Sequence, residues 1–552
     1  MMPPAQGTQL RLALTISGAV ALGAYEGGAL AGLLVAVQAL SGRDDPPLAI
    51  DVMAGASAGS ITSLLAARCL LEGYDPVEVM RGAWVEQDSL SVLRGHTGAA
   101  PLSIGALRAM ASALLAPAGG SCRPKQSGQV RLSMAIACLR GLEYTMPTLN
   151  SRIDAQATTY LDWCDYTFTQ GMATADLTSG RRDGFPAPVD TALASAANAM
   201  GFPPYLLDRS DDRDWQRLLD AGITNLPVTR QLWYTDGGTL DNEPLGRALN
   251  LVDDAGDSDQ VTRLHVLIHP HPTGAPTGDA WADPASPPSW TQTAMRSLGL
   301  QRTQSLFADL KNVEKTNSHI VWAQTLCEQL STAIDGLDGP ARAAVHAALA
   351  AAQTAIDNDR AARLGSRTPA APDLRAGTTG ATDATGPTTD AILGPLLRRV
   401  AGVSGKHQAS VEVISPLLLP EAASHSVEQL LAGEVLFHFG GFLDLDARVS
   451  DFDLGYRSTL QWLERGGLTN HGLAPADNDT AMQAARGRHE PPAASQSWQA
   501  CGSRTVADLL GRHPVAGFEL AAQIARVLTN DVLHHQNKAS RKPEPTKAGG
   551  LP

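Results

Sequence analysis

Within the first 71 residues the chain twice runs from a short apolar strand through a glycine-bearing turn into a helix, and this alternation constrains the fold more than any other feature. Leu10 to Ile16 reads as a buried strand that ends at Ser17-Gly18, and Ala24 to Leu40 has helical composition. Asp51 to Ala54 is again short and apolar. It runs directly into Gly55-Ala56-Ser57-Ala58-Gly59-Ser60, after which Ile61 to Leu71 reads as helix. Strands alternating with helices predict a parallel sheet covered on both faces, with ligands bound beyond the carboxyl ends of the strands. Both glycine turns fall at such ends.

Further strands are expected at Gln129 to Cys138, Tyr160 to Thr169, Gln231 to Thr235 and Arg263 to His269, with an Ala-rich helix from Val189 to Met200. The sheet is expected to end near Pro270, giving an α/β core over 10–272. A helical extension over 286–365 includes Trp290 to Leu310 and Gly339 to Leu364. A Thr/Pro/Gly-rich linker follows over 366–389, then a mainly helical region over 390–535 with one strand at Ser410 to Leu418, and a disordered tail over 536–552.

A net charge of −13 argues against binding nucleic acid, which requires a basic face, and against electrostatic adhesion to anionic lipid. The six cysteines are widely spaced, without a zinc or disulfide pattern, which predicts a reduced, cytoplasmic setting. The beginning of the chain lacks the marks of a signal peptide, and no apolar run is expected to span a bilayer.

Three segments carry chemistry. Ser57, with Gly55 and Gly59 on either side and Ala56 and Ala58 next to it, has the small neighbours a nucleophile needs if backbone N–H groups are to approach its oxyanion. The bland alternative is a serine capping a glycine-rich helix start. Ser17-Gly18-Ala19-Val20 at the end of the first strand is either ordinary punctuation or an oxyanion loop. Asp236-Gly237-Gly238, after a strand and before Asp241-Asn242-Glu243-Pro244, is either a plain turn or a carboxylate facing the same edge as Ser57.

Together and in this order, these segments resemble the patatin-like phospholipases and their larger bacterial relatives. Ala194-Ser195-Ala196 with Phe202-Pro203-Pro204 is a fourth match, and the resemblance covers roughly Arg11 to Leu245. It implies a three-layer α/β/α core with a mainly parallel sheet, followed by a largely helical C-terminal half. It also implies a Ser57–Asp236 dyad working through an acyl-enzyme, with Gly55, Gly59, Gly237, Gly238 and Asn242 supporting the motifs. Backbone N–H groups around Gly18 and Ala19 would stabilise the oxyanion, and the substrate would be a phospholipid or another lipid acyl ester, met in solution or in peripheral contact with a membrane. No metal or other cofactor is required. The chain departs from the family where many members have three glycines and an Arg two positions on, since here stand Gly18, Ala19, Val20 and then Leu22.

Phe437 to Asp444, with Arg448, Asp451, Gly455 and Arg457, is similar to a C-terminal segment of longer bacterial patatin-like proteins, and its charged residues are expected to form structural salt bridges. Two rival readings remain open. One is a Ser-Asp-His triad using His265, His269 or His271, although too few strands precede Ser57 for that fold. The other is a non-catalytic scaffold. Metal binding at His269-Pro270-His271 would need carboxylate or cysteine partners that the sequence does not identify.

Overall fold

The computed structural model describes residues 9–491 except 44, 88, 94–99, 116–127, 147–154, 170–174, 179, 224, 256–260, 273–288, 365–387 and 435–437. All but the last two residues of the expected linker lie outside the described residues, as do 492–535 and the 536–552 tail.

The first strand, β1 (Gln9–Ile16), pairs in parallel with β2 (Leu48–Ala56), from Leu10 opposite Leu48 to Ile16 opposite Gly55. Between them runs α1 (Gly23–Leu40), and β2 leads into α2 (Ala58–Glu72). Strand alternation sorts β1 onto two layers. Leu12, Leu14 and Ile16 belong to the main core with α1 and α2, whereas Ala13 packs with Val52 and Ala54 against Ala248, Leu251 and Val252 of the Leu245–Ala255 helix. Helices therefore cover both faces, giving the α/β/α arrangement.

Contrary to the expectation that no run could span a bilayer, Val20–Leu40 is long and apolar enough to do so by length and hydropathy. In this structure 94% of its most apolar window is buried inside the protein, and a helix apolar on all sides needs such enclosure.

Among the described residues the sheet has eight strands in the order β5-β6-β3-β2-β1-β7-β8, with β4 on β3. Here β3 is Gln129–Met146, β4 Ala155–Thr169, β5 Tyr205–Asp208, β6 Gln231–Asp236, β7 Val261–Ile268 and β8 Val411–Ile414. Strands β3 and β4 run longer than expected because beyond Ala137 they continue as an antiparallel ribbon to Met146 and Ala155. The sheet does not end near Pro270. Strand β8 adds itself in parallel to β7, His265 opposite Val411 through Ile268 opposite Ile414, so the outermost strand comes from the C-terminal half.

One arrangement in this sheet positions the site. Strand β4 takes one edge of β3 from Gln129 to Ala137. On the opposite edge β2 pairs in parallel up to Ala56 opposite Ala135, and β6 pairs antiparallel down to Asp236 opposite Ile136. The two strands therefore share one edge and meet with their carboxyl ends facing, at adjacent residues of β3. Ser57 and Asp236 stand at that junction.

The C-terminal half is built into the same core. Its Leu445–Glu464 helix crosses α1 in backbone contact: a Cβ on Gly28 would lie 1.9 Å from the Phe452 carbonyl oxygen, and one on Gly455 would lie 2.0 Å from that of Tyr25. Any larger side chain at either position would force the helices apart.

Candidate active site

Strand β2 becomes α2 through a single residue, Ser57, whose backbone has φ 52° and ψ −123°. That conformation costs a non-glycine residue about 1–3 kcal/mol and persists only where the surroundings enforce it. The enforcing contacts are visible. The Ser57 N–H donates to Ser195 Oγ at 2.8 Å, and Ser195 Oγ donates to the Ala135 carbonyl at 2.6 Å, which ties the turn to β3. Ser60 Oγ donates to the Gly55 carbonyl at 2.9 Å. Gly59 lets α2 start against the end of β1, since a Cβ there would lie 2.3 Å from the Ile16 carbonyl oxygen, and one on Gly55 would strike the Gly59 carbonyl in turn. The Ser57 side chain makes no capping hydrogen bond to α2, so the helix-cap reading of the motif fails.

At the end of β6, Asp236 is buried and its carboxylate is held at both oxygens. The Gly238 N–H donates to Oδ1 and Asn198 Nδ2 donates to Oδ2, each at 2.8 Å. Gly237 presses against β3, where a Cβ would lie 2.0 Å from the Ala135 carbonyl oxygen. The helix expected over Val189 to Met200 ends at Ser195, and the turn that follows places Asn198 on Asp236. Sequence reasoning missed Asn198, because nothing local marks an Asn three residues beyond a helix as a partner for a distant carboxylate.

The loop after β1 is joined to the Asp236 segment by Asn242. Its carbonyl accepts the Gly18 N–H at 2.9 Å, while Asn242 Nδ2 donates to Glu243 Oε1 at 2.6 Å. A Cβ on Gly18 would lie 2.6 Å from Asn242 Oδ1 and 3.0 Å from Ser57 Cβ, so the three segments converge within a few ångströms. This corrects one expectation: the Gly18 N–H is spent on Asn242 and does not face an oxyanion. Ala19 follows it in the loop, and Val20 has φ 53°, a left-handed conformation that is an outlier for a β-branched residue.

The sequence profile of the patatin-like phospholipases matches residues 14–249. This part of the chain is a patatin-like phospholipase domain. No curated protein matches the chain at significant similarity. Membership implies lipid acyl hydrolase activity in general terms. At Val20, where many members have glycine, the domain retains a glycine-type backbone with a valine upon it.

The patatin-like domain does not complete its own pocket. Beside Ser57 lies a small cleft lined by Val20, Ile61, Trp84, Leu107 and Phe202 of the domain and by Phe442 from beyond residue 249. Arg448 holds that last wall, donating to the Val85 carbonyl at 2.8 Å and to the Gly441 carbonyl at 2.6 Å. Asp451 accepts the N–H groups of Ala432 and Gly433 at 2.7 and 2.8 Å. Of the charged residues expected to form salt bridges, Arg457 pairs with Glu421 at 2.5 Å, and Arg448 and Asp451 bind backbone groups.

The histidines considered for a triad are otherwise engaged. His265 lies in β7, with β1 between it and β2. His269 Nε2 bonds Glu243 Oε1 at 2.7 Å and its Nδ1 accepts the His271 N–H at 2.8 Å, so both ring nitrogens are taken.

Asp241, between the Asp236 turn and Asn242, is pushed from an ordinary pKa of 3.8 to about 7 by burial and by the charges of Asp309 and Glu243, against the opposing pull of Arg247. Because the folded-state value lies above the unfolded one, the folded state holds the extra proton between these values. Stability from this group is complete at low pH and is lost as pH rises from about 4 through 7. Asp241→Asn should therefore raise the melting temperature at pH 8, by an amount corresponding to a few kcal/mol at most, and change it much less at pH 4. Thermal unfolding of both proteins at the two pH values measures this difference.

Proposed function

We infer that the chain is a lipid acyl hydrolase of the phospholipase A type, with Ser57 as nucleophile and Asp236 as general base. The observation that carries this reading is the strained Ser57 turn opening onto an apolar cleft at the point where β2 and β6 meet. Ser57 Oγ attacks the ester carbonyl and its proton passes to Asp236. The ester C–O bond then breaks, the proton goes to the departing lysophospholipid, and the acyl group stays on Ser57. Asp236 next takes a proton from water, which attacks the acyl-enzyme, and the fatty acid leaves as Ser57 Oγ recovers its proton.

The oxyanion is stabilised by the loop after Gly18, with the Ala19 N–H as first donor, and by the positive end of α2. Each such donor is worth on the order of 10²–10³ in rate. The aliphatic and aromatic lining suits an acyl chain, and the charged head group remains at the mouth, where it keeps its hydration. The net charge of −13 favours a zwitterionic over an anionic interface.

The test is product analysis with phosphatidylcholine and phosphatidylglycerol vesicles carrying distinguishable acyl chains, in the presence and absence of chelator. Free fatty acid and lysophospholipid are expected, faster from phosphatidylcholine and with no dependence on added Ca²⁺. Diacylglycerol as product would overturn the reading, as would hydrolysis that stops with chelator and returns with Ca²⁺.

A further inference from the structure

The geometry points to a divalent-cation site of the zinc class formed by His271, Glu434 and His438. These residues come from the end of β7 and from the C-terminal segment, and sequence spacing gives no hint of their meeting. The metal reading of His269-Pro270-His271 lacked partners in the sequence, and the fold supplies a carboxylate and a second imidazole.

One ligand atom from each of the three residues lies within 4.8 Å of the other two. Glu434 Oε2 is 2.6 Å from His271 Nε2 and 3.1 Å from His438 Nδ1. Both imidazoles thus converge on the same carboxylate oxygen, and His438 Nδ1 is buried from solvent. Two imidazole nitrogens meeting one carboxylate oxygen form a donor set that a divalent cation can share. Around tetrahedral zinc, ligands about 2.0–2.1 Å from the metal stand about 3.3 Å apart, so each of the two Glu434–histidine separations needs to open by less than about 1 Å. Two imidazoles and one carboxylate leave a fourth position for water, and the partial exposure of all three residues gives access to it.

The groups are also held in advance. The His271 N–H is fixed by His269 Nδ1, the turn before Glu434 is fixed by Asp451 through Ala432 and Gly433, and His438 sits at φ 68°. Such outer contacts orient metal ligands, and left-handed backbone at a non-glycine residue is a common feature of ligand clamps. A cation here would pin the segment that carries Phe439, packed against Gly201, and Phe442 of the Ser57 cleft. His271, Glu434 and His438 are thus positioning residues for the far wall of that cleft, without part in bond making.

The test uses the untagged full chain, stripped with chelator and desalted, then titrated with ZnCl₂ by calorimetry and followed by thermal unfolding. One Zn²⁺ per chain with micromolar or tighter affinity is expected, together with a melting temperature raised by a few degrees. His271→Ala and His438→Ala should each weaken binding at least tenfold, while His319→Ala, at an exposed position on another helix, should bind as wild type does. Co²⁺ loading should give a visible ligand-field band that both site variants lose. Should either alanine variant fold poorly, Glu434→Gln keeps the side-chain shape and should still lose the band. Equal zinc binding by wild type and the folded site variants, or no binding by wild type, overturns the proposal. Neither result touches the hydrolase reading, because binding is read without turnover.

Discussion

Ser57→Ala is expected to remove covalent labelling by a fluorophosphonate probe and to lower fatty-acid release by a factor on the order of 10³ or more, because no acyl-enzyme can form without the hydroxyl. Ser57→Gly provides a second arm. Residue 57 sits at φ 52° and ψ −123°, a conformation that glycine reaches without a Cβ penalty. The glycine variant should be as inactive as the alanine variant yet melt at a higher temperature, since the 1–3 kcal/mol or so of strain stored at the turn is released. Higher stability joined to lost activity is the signature of a residue kept in place for chemistry. A folded Ser57→Ala protein that still labels would move the nucleophile elsewhere. A folded wild type that never labels would favour the non-catalytic scaffold.

The second large effect concerns the support of β6. Arg209 is fully buried and bonds Asp162 at 2.6 Å, Asp214 at 2.9 Å through Nη2, and the Tyr234 hydroxyl at 2.6 Å. Asp162 and Asp214 are themselves buried, and Tyr234 stands two residues before Asp236. Arg209→Leu leaves two interior carboxylates with only the partly exposed Arg217 beside them, 3.2 Å from Asp214 and 3.6 Å from Asp162, at an expected cost of about 3–5 kcal/mol. Urea unfolding followed by far-ultraviolet circular dichroism measures it. Adding Asp162→Asn and Asp214→Asn to Arg209→Leu should recover a substantial part of the loss, because the penalty lies in the stranded charge more than in the missing contacts. If the triple variant is no more stable than the single one, packing of the guanidinium rather than charge explains the effect.

How much of the site was legible depends on how local its cause is. The strained turn at Ser57 is a local object: a short apolar strand, small residues on both sides and a helix starting at once. The glycines around it are required by approaches that a Cβ would block, so the motif could be recognised before any contact was known. Asp236 with Gly237 and Gly238 was legible for the same reason. Ser195 and Phe442 were readable only as parts of segments that resemble the family, and Asn198 and Trp84 not at all, since a buried aromatic in a helix or turn looks the same whether it lines a core or a cleft. The Gly18 N–H was misread because the Asn242 carbonyl that accepts it lies more than two hundred positions away.

The sequence by itself therefore determined the alternation of strands and helices, the two tight turns and the order of the three motifs, all of which follow from hydrophobic period and backbone freedom over a few residues. Only the tertiary structure decided that β2 and β6 meet end to end on one edge of β3, and that a strand and a phenylalanine from beyond residue 400 complete the sheet and the cleft. It also decided that His271 faces Glu434 and His438. Those pairings depend on which apolar faces are left uncovered once the local elements have formed. That is a property of the whole packed chain, and no short window of residues carries it.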